Sequence, residues 1–217
     1  MSISTMVPML AQGFLVTLEI FGLTLLGSIP LGILVAMGRL SKCKPLSVVL
    51  GIYISLMRGT PLMLQMFAVF FLPYYGFGIV TGLNYMFVAC IVAFIVNYAA
   101  YFAEIYRAGI QSIPRGQYEA AEVLGYHPSQ TFFHIILPQM FKNILPAMGN
   151  EIVTLVKDTS LAFSIGVAEM FTVGRALVAS QRTMVPFVIA AIFYWVTCLL
   201  IEFILRRIEN NLDYYHD

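Results

Sequence analysis

The residues with the most chemistry in this chain sit in an unlikely place. Asn150, Glu151, Thr154, Lys157 and Asp158 fall inside an apolar run of about 143–163. At about 100° per residue of a helix, all five share one arc of about 120°. Ile152, Val153, Leu155 and Val156 fill the rest of the turn. Glu151, Thr154 and Asp158 follow i, i+3, i+7 spacing and form a stripe. Lys157 and Asp158 are sequence neighbours pointing about 100° apart, so together they suit the carboxylate and the ammonium of a zwitterion. The same stripe also suits a polar contact between helices, with no ligand at all. A second stripe lies in an earlier apolar run, where Asn97, Tyr101 and Glu104 are spaced i, i+4, i+7. Asn97 suits an interhelical hydrogen bond or a path lining, and Glu104 suits an i, i+3 ion pair with Arg107.

The composition names the solvent these residues must be positioned in. Of 217 residues, 60% are hydrophobic and 11% are charged, against roughly a quarter charged in a soluble domain. So few charges cannot clothe a soluble globule. A net charge of +1 and no basic run exclude a nucleic-acid binder. A bilayer remains, and there each buried ionisable group costs at least ~2.5–3.5 kcal/mol on insertion scales, which makes it a functional candidate. Cys43, Cys90 and Cys198 lie far apart, and His127, His134 and His216 give no metal spacing. Met1 to Gly13 has no basic stretch of the kind that opens a cleaved signal peptide.

The elements follow from apolar runs of about 20 residues. Five spans are expected, at about 14–38, 50–72, 85–106, 143–163 and 184–205. The second is broken by Arg58-Gly59-Thr60-Pro61, where Thr60 suits an N-cap and Pro61 a first helical position. The piece at 107–142 is too polar to span, and Pro114, Gly116, Gly125, Pro128 and Pro138 punctuate it. Two short helices are expected there, at 117–124 and 129–137, and 164–183 reads as a loop. Eight basic residues lie in the 39–47 loop, the 107–142 piece and the tail; two, Arg175 and Arg182, lie on the other side. The positive-inside bias therefore places the N-terminus outside, and the 107–142 loop and C-terminus in the cytoplasm. No internal repeat and no GxxxxGK[ST] phosphate loop is present, so any nucleotide that powers the protein binds another chain.

Within that loop, Glu119-Ala120-Ala121, three residues, Gly125, nine residues and Ile135-x-Leu137-Pro138 complete an EAA-x3-G-x9-I-x-L-P pattern. Physically this is a compact helix ended by Gly125 in a left-handed conformation, then a second helix started by Pro128 and closed by Pro138. Ile135 and Leu137 are expected to bury against the membrane part. With this pattern the chain resembles the membrane permease subunits of bacterial ABC importers. Arg58-Gly59-Thr60-Pro61-Leu62, Asn97-Tyr98-Ala99-Ala100-Tyr101 and Leu155-Val156-Lys157-Asp158-Thr159-Ser160-Leu161 narrow the resemblance to the polar amino-acid permeases of histidine, glutamine, arginine and cystine systems.

The resemblance implies an all-α type I permease fold over 1–217 in a bacterial cell membrane, with a cytoplasmic coupling helix carrying Glu119, Ala120, Ala121, Gly125 and Pro138. It implies no cofactor and no enzymatic chemistry in this chain, with ATP bound by separate ATPase subunits. It also implies a second permease subunit, identical or a sibling, and an extracytoplasmic amino-acid-binding protein. The residues expected along the substrate path are Asn97, Tyr101, Glu104, Glu151, Thr154, Lys157, Asp158 and Thr159. The alternative, an ion-coupled carrier or channel, uses the same buried charges but gives no reason for the cytoplasmic pattern.

Overall fold

The computed structural model describes residues 2–82 and 84–212; Met1, Leu83 and 213–217, with His216, lie outside the described residues. The described chain is helical, without a strand. The first helix, α1 (Ile3–Arg39), is 37 residues long, or about 55 Å. It starts well before the expected residue 14 and takes in Pro8 and Pro30.

A buried stripe of Gly13, Thr17, Ile20, Thr24, Ser28 and Gly32 runs along α1. It packs most extensively on α4 (Tyr85–Ser112), whose facing side carries Ala89, Ala93, Ala99, Ala100 and Ala103. Small residues on both sides let the backbones approach, as in membrane helix pairs generally. A Cβ on Gly32 would stand 2.9 Å from Phe102 Cβ, so only glycine fits there. Gly27 meets Ile95 and Gly32 meets Phe102, so the numbers rise together and the two helices run parallel. Their C-terminal ends, at Arg39 and Ser112, therefore share one side of the molecule.

The expected second span is two helices, α2 (Lys44–Gly59) and α3 (Leu62–Phe77), bent by 110°. Thr60 is extended at φ −124° and ψ 147°, the region to which a following proline pushes its neighbour. Thr60 does not cap α3 as expected. Its hydroxyl donates back to Leu56 O at 2.8 Å and so finishes α2. Pro61 stands just before α3 and not at its first helical position.

The 107–142 piece begins as expected, with α5 (Arg115–Val123) and the short α6 (Pro128–Thr131). Its end corrects the sequence reading. Pro138 does not close the second helix. The chain widens into one π-helical turn, Phe132–Ile136, and runs on as α7 (Leu137–Asp158). A proline removes the N–H that would bond residue 134 and crowds that carbonyl; a widened turn absorbs both. The extra residue also changes which side chain points inward. Ile136 is fully buried, while Ile135 and Leu137 are only partly so.

After α7 a 3₁₀ stretch, Thr159–Ile165, ends at Gly166 with φ +87°. The segment read as a 164–183 loop contains α8 (Met170–Gln181), which packs on α1 and on α9 (Val185–Leu212). Helices α1, α4 and α9 are each long and apolar enough to cross a membrane. The α2–α3 pair and the stretch from Pro128 through α8 qualify only as bent pairs.

Candidate functional site

The polar arc of α7 divides between two neighbours. Glu151 lines a cleft of about 440 Å³ between α4 and α7, together with Arg58, Tyr101, Glu104, Ser112 and Asn143. Asp158 points the same way but is engaged, accepting a hydrogen bond from Tyr98 Oη at 2.7 Å. Asn150, Thr154 and Lys157 face the other side. They line a groove of about 580 Å³ against α9, where Glu202, Arg206 and Glu209 stand opposite. Lys157 and Asp158 thus do not converge on one point within this chain. The zwitterion pairing expected from their adjacency is not assembled here.

In the first cleft the charges are arranged from α2 and α4. Arg58, at the last turn of α2, lies over the Tyr101 ring with its guanidinium carbon 5.4 Å from the centroid. Its Nη1 is 4.0 Å from Glu104 Oε1. Arg107 Nε donates to Glu104 Oε2 at 2.9 Å, the expected i, i+3 pair. Glu104 therefore has two cations and Glu151 has neither ion pair nor hydrogen bond among the described residues. Arg58 was not among the site residues read from the sequence. The available signal was a single intramembrane arginine directly before a Gly-Thr-Pro break.

Asn97 has a different position. It is 4% exposed, and its Nδ2 donates to Met57 O at 3.1 Å and Gln65 Oε1 at 2.9 Å. Gln65 Nε2 in turn donates to Met57 O, Thr60 O and Thr60 Oγ1 at 2.8–3.0 Å. The last carbonyls of α2 have no intrahelical partner. In an apolar surrounding each unmet group costs several kcal/mol. Asn97 and Gln65 supply the missing donors and fix the bend. Thr159 is buried, and its hydroxyl donates to Val156 O at 2.6 Å.

The pattern that begins at Glu119-Ala120-Ala121 forms a small projecting knob. Gly125 has φ +78°, its N–H bonds Glu122 O at 2.9 Å, and Tyr126 N–H bonds Ala121 O at 3.0 Å. This pair of bonds is a Schellman closure, which only glycine makes without strain. Ala121 is buried, whereas Glu119, Ala120 and Pro138 are exposed. Val123, Leu124 and Phe133 present large apolar surfaces to the outside, which marks an interaction surface.

A kinked helical membrane protein with such a knob is the architecture of an importer permease. The sequence profile of the binding-protein-dependent transport system inner membrane components matches residues 28–214, and the chain belongs to that family. It is 37% identical over 210 residues to the L-cystine transport system permease protein TcyB of Bacillus subtilis strain 168, covering 96% of this chain and 88% of that one. The arginine transport system permease protein ArtQ of the same organism is 37% identical over 208 residues, at 95% and 93% coverage. Among solved structures, an amino acid ABC transporter crystallised with histidines superposes with a TM-score of 0.86 at 32% identity, over 97% of this chain and 99% of that one.

Proposed function

We propose that this chain forms the membrane path of an ATP-driven importer of polar amino acids, working with a second permease subunit, two ATPase subunits and an extracytoplasmic binding protein. Its relatives carry cystine and arginine by name, and the solved neighbour is an amino acid transporter. The observation that carries the reading is the cleft between α4 and α7. Arg58 and Glu151 face it with opposite charge, which suits the carboxylate and ammonium common to all amino acids. Tyr101 and Glu104 hold Arg58 in place, and the α9 side of α7, with Thr154 and Lys157, forms the continuation of the path against the second subunit.

Five crossings follow if each bent pair counts as one: α1, α2–α3, α4, α6 through α8, and α9. The parallel run of α1 and α4 supports this order. Together with the basic residues near Arg39, Arg107 and Arg206, it favours a cytoplasmic knob. ATP binding on the partner would draw the knobs together and shift the spans between outward and inward access. The chain itself does no covalent chemistry; its work is different affinity for substrate in the two states.

Uptake of labelled cystine, arginine and glutamine by the reconstituted complex tests this. Arg58→Gln and Glu151→Gln should each lower uptake about ten-fold or more, since each removes a charge-assisted contact. Undiminished uptake in both variants would remove the cleft from the path. Uptake that persists without ATPase subunits would favour the ion-coupled reading.

A further inference from the structure

The end of α1 and the start of α2 build a second feature, on a different surface from the cleft lining. Arg39 Nη1 donates to Ser47 Oγ at 2.6 Å, and Ser47 Oγ donates to Arg39 O at 2.8 Å. This lock fixes the guanidinium against α2 and leaves its Nε and Nη2 without a hydrogen-bond partner among the described residues. Those two nitrogens form the edge that pairs with a phosphate through two parallel bonds. They lie over Gly51: a Cβ there would stand 3.2 Å from Nε and 3.5 Å from Nη2. The glycine therefore keeps that edge approachable from a cleft of about 510 Å³, which Ser55 also lines.

The walls of the cleft are apolar and ordered along α2. Lys44, Val48, Ile52 and Leu56 repeat every four residues and form one stripe. Val48, Ile52 and Leu56 are 60, 64 and 54% exposed. From Lys44 to Leu56 is about 18 Å of helix, close to the ~15 Å hydrocarbon depth of one leaflet. Lys42 and Lys44, both exposed, add charge at the polar end. The Arg39 fork lies level with Gly51, part-way along this strip, with Val48 beside it and Ile52 and Leu56 running on from it, and this adjacency of cationic edge and apolar surface matches a single amphiphile.

We infer that the α1–α2 corner binds an anionic glycerophospholipid of the cytoplasmic leaflet. The phosphate sits on the Nε–Nη2 edge of Arg39 and one acyl chain lies along Val48, Ile52 and Leu56. The assignment of the leaflet rests on the orientation proposed above; the binding itself does not.

Native mass spectrometry of the full-length chain in detergent tests the inference, with phosphatidylglycerol, phosphatidylcholine or inorganic phosphate as the added probe. The wild type should retain phosphatidylglycerol over phosphatidylcholine by about five-fold or more, the value of one basic residue near an anionic surface. Arg39→Gln should remove most of the preference. Gly51→Leu should abolish retention of the lipid by closing the groove while keeping every charge. Lys44→Gln should reduce the preference only in part. Equal retention of the two lipids, or a preference unchanged in Arg39→Gln and Gly51→Leu, overturns the proposal. Displacement of the lipid by millimolar inorganic phosphate overturns the acyl half of it. A cross-link formed between two copies through Ile52→Cys would assign the groove to a second subunit and also overturn it. The exposed Cys43 reports orientation separately. Labelling by an impermeant maleimide in intact cells would refute the cytoplasmic placement while leaving the retention measurement intact.

Discussion

Two acidic regions of this molecule, Glu169 and the Glu104–Glu151 cleft, use the same functional group for opposite ends. Glu169 is 0% exposed and caps α8. Its carboxylate accepts from Phe171 N at 2.6 Å, Thr172 N at 2.7 Å and Thr172 Oγ1 at 2.8 Å, with Tyr194 Oη at 3.4 Å. Next to it, Met170 N donates to Thr17 Oγ1 at 3.3 Å, so α1, α8 and α9 meet at one node. Every lone pair that matters there is met by short-range donors, including backbone groups that a helix start always leaves unpaired. In the cleft, Glu104 is shared between two arginines and Glu151 faces open space. A closed set of partners gives an immobile joint. An open set leaves charge to be completed by something else.

The comparison can be broken by substitution. Glu169→Ala should have the largest effect on folding. It strands the Phe171 and Thr172 amides in an apolar setting, at about 1–3 kcal/mol for each unsatisfied group. The expected result is a loss of most folded protein in detergent, read by size exclusion, with Glu169→Gln intermediate because its amide oxygen still accepts. If Glu169→Ala melts as the wild type does, the closed node has no structural importance. Asn97→Ala should come next, lowering the melting temperature and uptake together, because it leaves Gln65 Oε1 without its donor, removes one of the two donors to Met57 O and loosens the α2–α3 bend. Arg58→Gln should lower uptake without lowering the melting temperature. A fall in both would make Arg58 a brace like Glu169 and erase the contrast. Gly125→Ala should cost about 1 kcal/mol at the left-handed position and reduce coupling of ATP hydrolysis to uptake, leaving the spans intact. Tyr98→Phe should be mildest, removing one hydrogen bond to Asp158, about 1 kcal/mol.

The sequence carried the apolar runs and the knob well, because both depend on local chemistry. Runs of apolar residues, the φ > 0 demand at Gly125 and the i, i+3 pair of Glu104 and Arg107 are all written within a few residues. What it did not carry depends on distant neighbours. The wheel of α7 gives angles, and within its arc Lys157, Asn150 and Thr154 already lie on one flank, Asp158 and Glu151 on the other. Nothing local says that α9 meets the first flank and α4 the second. Asn97 bonds Met57 and Gln65, 40 and 32 residues away. Helix α8 is hidden in the sequence because Gly166, Gly174 and the polar Thr172 and Arg175 obscure its apolar period of Met170, Val173 and Leu177. Pro138 misled because a proline's usual effect on a helix is to end it, and a single widened turn cancels that effect.

That widened turn gives the molecule a mechanical property. Because the helix does not stop at Pro138, the chain is one continuous helical path from Pro128 to Asp158, about 45 Å long, interrupted only by the widened turn and by Pro146. One end stands in the knob, and the other ends at Lys157 and Asp158. The widened turn and Pro146, each short of a regular i→i−4 hydrogen bond, are the two places where this path can bend. The exposed Phe133 at one end and Lys157 and Asp158 at the other are therefore joined by backbone alone, with no loop between them. At that far end the path splits between two neighbours, Lys157 beside α9 and Asp158 on Tyr98.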